Sequence, residues 1–269
     1  MKYFLLAALT FYVIAAIHAV LAFANKRRPV ERTASVSLAV GFAAHTLALA
    51  EDWWRDGRYP LFGLGETLSF LAWTLVIAYA LAALRYKIRA LGVLTMPLVS
   101  FLVTAAMITR GVGDSAAVTG GAAAWLFPVH TTLLVFAYAS FFVVFAASVM
   151  YLWQERELKL KTFSAFFHRL PALSTVDDIA QTAAGVGFTL LSLGIVTGVV
   201  WSSARGGRVW HNDPKEIFAV LTWLLYLTMI HYRSQWRGRK AAWAGVFGFA
   251  LVLFTFLGTR LMGGYHVFG

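Results

Sequence analysis

The sequence contains no cysteine, and this absence removes several kinds of chemistry at once. A chain without thiols has no disulfide framework, no thiolate metal site and no cysteine nucleophile. It also has no Cys-x-x-Cys-His motif, so it is not itself a c-type cytochrome with covalently attached haem. The remaining candidates for binding or catalysis are therefore histidines, carboxylates and basic side chains.

Charged residues are scarce as well. They make up 13% of the 269 residues, whereas 60% of the residues are hydrophobic and the mean hydropathy is +0.71. A soluble globular domain carries about 25% charged residues, so this composition predicts an integral membrane protein. The apolar runs are long and lack the alternation of barrel strands, which makes the predicted fold class all-α.

Eight apolar runs are long enough to cross a bilayer, which takes about 20 helical residues. They predict a bundle of about eight transmembrane helices in a single domain, 1–269. The first run ends in Ala-Phe-Ala, which resembles a signal-peptidase site, but its length favours a retained span. The predicted spans are 3–24, 34–50, 67–84, 91–108, 130–153, 179–201, 215–232 and 241–262.

The net charge of +11 is unevenly distributed, which predicts an orientation. Fifteen of the 23 Lys and Arg residues fall in four loops on one side, and such loops stay in the cytoplasm. The charge therefore indicates basic loops rather than nucleic-acid binding, and both termini are expected outside the plasma (inner) membrane. The expected inner loops are 25–33, 85–90, 154–178 and 233–240, and the outer loops are 51–66, 109–129 and 202–214.

Histidine is the most informative residue type inside a membrane protein, because neutral imidazole binds metals. His130 and His266 are expected at the outer surface, and two facing imidazoles are axial ligands that a haem iron takes. The alternative is that both residues are polar caps on helix ends. His231, His18 and His45 lie within predicted spans, where each could instead be a core histidine bonded inside the protein.

The outer loop 202–214 is unusually polar for this chain. Asp213 and Pro214 predict the N-cap and first residue of the seventh span, and Glu216 would complete the capping arrangement. Aromatic residues also form ordinary belts at membrane boundaries, but a porphyrin needs aromatic faces and its propionates need Arg or Lys. The other aromatic and basic residues around this loop are Trp201, Arg205, Arg208, Trp210 and His211.

Four segments together resemble one family, the cytochrome c assembly proteins, which include the Ccs/ResC-type haem-handling proteins and the HemX-like proteins. The resemblance covers the chain from about residue 40 to its end. The segments are GRYPLFGLGETLSFLAW (57–73), HTTLLVFAYASFF (130–142), NDPKEIFAVLTWLLYLTMIHYRSQWRGRKAA (212–242) and FLGTRLMGGYHVFG (256–269).

The resemblance implies a site for non-covalent haem b. It makes His130 and His266 the external axial ligands of the haem iron and His231 a membrane-embedded histidine that binds haem on its way across. Glu66 belongs to the first matching segment. The resemblance places Trp210, Asp213 and Glu216 in a tryptophan-rich haem-handling loop, beside which Trp201 and Arg208 are further candidates.

The implied function is export or presentation of haem at the outer face for cytochrome c maturation. This is the work of a carrier or chaperone, or of the haem-handling part of a haem lyase, rather than of a stand-alone enzyme. The implied partners are haem, a membrane protein with an outer domain and an apocytochrome c, with no nucleic acid.

The chain departs from the family's loop pattern at two positions, and its FGLGE segment departs from the family's usual Asn-containing version before Glu66. Gly206 and Asn212 stand where the family loop, W-G-x-x-W-x-W-D-P-K-E, has tryptophan, which leaves Trp210 as the one Trp of three. This favours the HemX-like branch and a second hypothesis, a membrane regulator of a tetrapyrrole-biosynthesis enzyme that acts through 154–178 or 233–240. A third hypothesis is a small-anion transporter that uses Arg205, Arg208 and Arg260.

Overall fold

The structure, a computed structural model, describes residues 2–25, 28–57, 59, 61, 63–88, 90–110, 125–162, 167–204, 210 and 213–258. Within these ranges the chain is largely helical and has no β-strand, which confirms the predicted all-α membrane fold. Seven of the described helices are long and apolar enough to cross a bilayer, against about eight predicted.

The helices are α1 (Lys2–Asn25), α2 (Arg28–Asp56), α3 (Leu64–Tyr86), α4 (Ala90–Ile108), α5 (Leu126–Leu160), α6 (Leu173–Ala204), α7 (Pro214–His231) and α8 (Arg239–Leu253). A short 3-10 helix (Phe167–Arg169) precedes α6, and a π-helical turn (Phe254–Gly258) follows α8. The one long helix outside the set of seven is α7, which has 18 residues and begins with Pro-Lys-Glu.

The chain divides into two compact units, the first of which contains α1–α4. α3 and α4 run antiparallel, because Gly65 packs against Ala106 at one end of the pair and Tyr79 packs against Gly92 towards the other. The buried Asp52 carboxylate near the end of α2 accepts a hydrogen bond from the Arg110 guanidinium just after α4. This ion pair joins the ends of two helices that finish on the same side of the unit.

His45 lies at the centre of this first unit and is fully buried. Its Nδ1 atom is 3.2 Å from the Tyr12 hydroxyl on α1, and its Nε2 atom is 2.9 Å from the Ser69 hydroxyl on α3. Both ring nitrogens therefore have partners, as a buried polar group requires. The arrangement fits the alternative of a core histidine that joins three helices.

The second unit contains α5–α8 in an up-and-down antiparallel order. α5 is its central helix, and Phe141, Val144 and Ala147 on it are completely buried. Side chains of α5 pack onto bare glycine backbone of the two neighbouring helices, α6 and α8, so the helices approach closely. The pairs are His130 with Gly198, Leu134 with Gly194, Phe141 with Gly187, Ser148 with Gly245 and Tyr151 with Gly238.

Several helices continue beyond the spans that hydropathy predicts. α5 has 35 residues and α6 has 32, about 50 Å each at 1.5 Å per residue. The segments 154–160 and 173–178, predicted as an inner loop, are therefore helical. The physical reason is that charge ends an apolar span without ending a helix, as the ion pair between Lys159 and Glu155, 2.7 Å apart, illustrates.

The outer loop predicted at 51–66 is shortened in the same way. α2 continues to Asp56, with the Arg55 guanidinium 3.0 Å from the Asp56 carboxylate, and α3 begins at Leu64. The prediction of a single domain over 1–269 stays a prediction.

Candidate functional site

The candidate site lies at one end of the second unit. Because α5–α8 alternate in direction, this end contains the starts of α5 and α7 and the ends of α6 and α8. Tyr138 of α5 meets Phe256 after α8, with ring centroids 6.3 Å apart, and Phe218 of α7 meets Phe254 at 4.3 Å. The antiparallel order thus brings together segments that are far apart in the sequence.

His130 is the fifth residue of α5 and is partly buried against α6. Its Nδ1 atom is 2.7 Å from the Gly194 carbonyl oxygen. A carbonyl only accepts hydrogen bonds, so Nδ1 carries a proton and donates; in a neutral imidazole the lone pair is then on Nε2. This is the form in which an imidazole binds a metal ion through Nε2.

Two of the predicted site residues, Trp201 and Trp210, are tryptophans at the same end as His130. Trp201, near the end of α6, packs against Phe127 of α5 with ring centroids 5.2 Å apart. Trp210, in the connection between α6 and α7, exposes 47% of its surface. The same end of the unit therefore contains an imidazole and exposed aromatic surface.

Asp213 caps the start of α7 as the sequence predicts. It has extended backbone, its carboxylate oxygen accepts from the Lys215 amide at 2.8 Å, and Pro214 follows as the first helical residue. Asp213 is 4% exposed, so the cap is also a packed part of this end. In a full capping box the N-cap side chain accepts from the amide of the third helical residue, whereas Asp213 accepts from the amide of the second, Lys215. The contribution of the Glu216 side chain stays a prediction.

Two of the predicted site residues, His266 and Arg208, lie outside the described residues. The same holds for Arg205, Gly206, His211, Asn212 and Arg260. The described chain leaves α8 and its π-helical turn at the His130 end of the unit, and His266 comes eight residues after Gly258 in the sequence.

Glu66 lies in the first unit and has a structural role at the start of α3. Its carboxylate oxygen accepts from the Gly63 amide at 3.2 Å, and the Thr67 amide donates to the Gly63 carbonyl at 3.0 Å. This is the backward half of a capping arrangement. The described contacts of Glu66 are therefore those of a helix cap.

His231 is the last residue of α7, at the opposite end of the unit from His130. It is exposed, and its ring meets the edge of Tyr232 with centroids 4.9 Å apart. In the first unit, His18 is 2.8 Å from the Ile14 carbonyl of its own helix. Within the described ranges, no three His, Asp or Glu side chains gather into a metal-binding group.

Sequence reasoning missed Gly194 and Gly198, which contact His130. Their signal was available, because Gly194-Ile-Val-Thr-Gly198 is a G-x-x-x-G sequence inside an apolar helix, typical of close helix approach. The G-x-x-x-G sequence could not indicate that the side chain packed against these glycines is a histidine.

Comparison with known proteins decides the family. The model of the family "Cytochrome C assembly protein" matches residues 61–266, which is most of the chain. The chain belongs to the cytochrome c assembly protein family. It is a multi-pass membrane protein of cytochrome c biogenesis. The matched residues include the start of α5, the start of α7 and all of α8.

Individual members of the cytochrome c assembly family are similar over most of this chain. A "Cytochrome c biogenesis protein CcsA" from Chlamydomonas reinhardtii is 32% identical over 83% of the chain, which spans 64% of that relative's length. Proteins of the same name from Chlorella vulgaris and Saccharum officinarum are 31% and 25% identical. The chain and the Chlorella protein cover 83% and 82% of each other, and the Saccharum alignment covers 97% of the chain and 93% of that protein.

Proposed function

We propose that this protein binds haem b non-covalently at the His130 end of its second unit and presents it for cytochrome c maturation. The observation that carries the proposal is the hydrogen bond from His130 Nδ1 to the Gly194 carbonyl, 2.7 Å long. It fixes an imidazole with its lone pair on Nε2, at an end that also presents aromatic surface. The names of the relatives add that the setting is cytochrome c biogenesis.

His130 supplies one axial ligand in this proposal, and His266, on the segment after α8, supplies the other. Trp201 and Trp210 offer aromatic faces to the porphyrin, and Arg208 offers a partner for a propionate. Two imidazole ligands on the iron would leave the vinyl groups of the haem available to react with thiols. Because this chain has no cysteine, those thiols belong to the acceptor, an apocytochrome c.

His231 takes an earlier role in the proposal, as a ligand for haem on the way across the membrane. It lies at the far end of the 18-residue helix α7 from Asp213, a distance of about 27 Å along the axis. That length is close to the hydrocarbon thickness of a bilayer. α7 thus connects the level proposed for haem entry with the level proposed for presentation.

A membrane partner with an outer domain completes the proposed system. The described residues outside helices α1–α8 and the two short helical turns are few, and they form no such domain. Such a partner would hold the apocytochrome c against the His130 end. This protein then acts as a haem carrier or chaperone within a larger haem lyase.

The haem proposal is tested by absorption spectra of the protein purified after expression with ample haem, oxidised and reduced. We expect a low-spin, six-coordinate spectrum that His130→Ala and His266→Ala each shift or abolish. His168→Ala is the matched control, because that exposed histidine lies in the short helix before α6, at the opposite end of the unit. Wild-type protein that stays colourless contradicts haem binding.

We also propose that the His130 end faces outside, with both termini there. The support is that described residues of the two basic segments pair at the opposite end of the unit, Arg233 with Asp178 at 3.7 Å and Arg239 with Glu155 at 3.8 Å. Since the chain has no cysteine, Ser203→Cys and Ser234→Cys each create a unique and exposed thiol. In intact cells a membrane-impermeant maleimide should label Ser203→Cys and spare Ser234→Cys, and the reverse pattern would refute the orientation.

A second candidate, regulation of a tetrapyrrole-biosynthesis enzyme, is favoured by Gly206 and Asn212, which replace two tryptophans of the family loop. Its acting surface would be the basic end, which includes Arg233 and Arg239. Co-purification of such an enzyme with a colourless protein, lost when 233–240 is scrambled, would favour regulation over haem presentation. An unchanged enzyme level after deletion of the protein would exclude regulation.

A further inference from the structure

His130 packs onto α6 as closely as the other α5 side chains that face glycines do. A Cβ atom placed on Gly198 would lie 2.5 Å from His130 Cε1 and 2.7 Å from Nδ1, well inside the 3.5–4.0 Å of an optimal contact. The imidazole therefore lies directly on the backbone of α6. Only glycine at position 198 leaves room for it.

One turn further along, the same two helices repeat this fit. A Cβ atom on Gly194 would lie 2.6 Å from Leu134 Cδ2. His130 and Leu134 are four residues apart on α5, as Gly198 and Gly194 are on α6, so two side chains of one helix face two glycines of the other. Leu134 thereby holds α6 at the spacing that the His130 contact needs.

The Gly194 carbonyl serves more donors than an ordinary helix carbonyl. It accepts from His130 Nδ1 at 2.7 Å, and the Thr197 hydroxyl, 2.9 Å away, shares its one proton between this carbonyl and that of Leu193. A carbonyl oxygen has two lone pairs, which suits it to accept several hydrogen bonds. A hydrogen bond of this kind on the nitrogen remote from a metal fixes the imidazole tautomer and makes the other nitrogen a stronger ligand.

We propose that Gly194 and Gly198 form a slot in α6 that fixes the ring orientation and the Nδ1–H tautomer of His130, and so set its strength as a haem ligand. This inference rests on the haem-binding function proposed above. Gly194 acts through its carbonyl, and Gly198 acts by having no side chain. Both are positioning residues, since His130 lies between them and any iron.

The first test uses the haem-free wild-type protein, labelled with 15N-histidine in detergent micelles. The couplings between ring nitrogens and ring protons distinguish a protonated Nδ1 from a protonated Nε2. The His130 signals are assigned by their loss in His130→Gln, among seven histidines in the chain. We expect His130 to be neutral with its proton on Nδ1, and a proton on Nε2 would overturn the proposal.

The second test compares two glycine substitutions in α6. Gly198→Ala pushes the ring away and should return His130 to a mixture of tautomers, with a loss of haem affinity of roughly 10–100-fold, as is typical when such partners are removed. Gly185→Ala is the matched control, because a Cβ atom there meets nothing within 4 Å. Equal haem affinity in the two variants, or an unchanged His130 tautomer in Gly198→Ala, would overturn the proposal. If Gly198→Ala does not fold, the wild-type tautomer still decides.

The two tests separate the slot from the function on which it rests. A protonated Nδ1 in a protein that never binds haem would support the slot and refute haem binding. Haem binding by a protein whose His130 is protonated on Nε2 would support the function and refute the slot.

Discussion

The packing of Gly187 allows a quantitative prediction about the second unit. A Cβ atom on Gly187 would lie 2.5 Å from Phe141 Cε1 and 2.7 Å from Cδ1. The Phe141 ring cannot move away from Gly187 without disturbing a neighbour, because it is stacked on Tyr226 with centroids 3.8 Å apart and an interplanar angle of 13°. Tyr226 in turn lies against Gly248 of α8. Gly187→Ala therefore disturbs a series of contacts that involves all four helices of the unit.

The expected cost follows from two opposing terms. Overpacking a well-packed core costs about 1–3 kcal/mol, and replacing a helical glycine by alanine returns roughly 0.5–1 kcal/mol. The net loss for Gly187→Ala should be about 1 kcal/mol, within a range of roughly 0–2.5 kcal/mol. Gly185→Ala, two residues away in the same helix, meets no atom within 4 Å and should gain up to about 1 kcal/mol. The two substitutions should therefore change stability in opposite directions.

Reversible unfolding of the purified protein in mixed detergent and SDS micelles measures both free energies. A double-mutant cycle with Phe141→Leu isolates the contact, because removal of the ring edge should relieve the clash and give a favourable coupling between the two sites. Equal stability of Gly187→Ala and Gly185→Ala, or no coupling to Phe141→Leu, would refute the packing argument.

Three further predictions concern polar contacts, each checked by the same unfolding measurement on haem-free protein. Asp213→Ala should lose about 1 kcal/mol with the N-cap of α7, whereas Asp213→Asn should stay near the wild type; equal losses would contradict the capping role. Ser69→Ala removes a partner of buried His45 and should cost about 1–3 kcal/mol, against almost nothing for Ser234→Ala on the surface. Glu66→Ala should cost about 0.5–1.5 kcal/mol and speed hydrogen exchange at the Gly63 amide; unchanged exchange there would argue against the cap.

The sequence was most informative where a local rule decides the structure. Asp213 and Pro214 specify a helix start through their own backbone and side-chain preferences, and the structure has that start at the predicted residue. The fold class followed from composition in the same way, because a chain with so many apolar residues and so few charges has few alternatives to membrane helices.

The sequence was less informative where one signal stands for two properties. Hydropathy predicts where an apolar span ends, but it does not predict where the helix itself ends. Glu155 and Lys159 are charged and helical at once, because a side chain in water does not disturb the backbone hydrogen bonds of α5. The true end of α5 depends on the left-handed conformation at Lys161, with φ of 53°, which hydropathy does not report.

The partners of the histidines could not be predicted from the sequence, because they depend on tertiary packing. His45 and His130 both occupy apolar helices, yet hydroxyls from two other helices surround the first and a glycine carbonyl accepts from the second. Which atoms meet a histidine across a helix interface depends on the rotation of both helices. That rotation depends on all the contacts between the helices together, and no local sequence pattern reports it.

The polar ends of α7 have a consequence for how the protein is assembled in the membrane. This helix of 18 residues begins with Pro-Lys-Glu and ends with His231, and these ends gain little from entering lipid, because charged and polar residues partition poorly into the bilayer. Its fully buried Tyr226 gains instead from Phe141 of α5 and Gly248 of α8. During synthesis α5 precedes α7 and α8 follows it, so stable insertion of α7 should wait until α8 has left the ribosome.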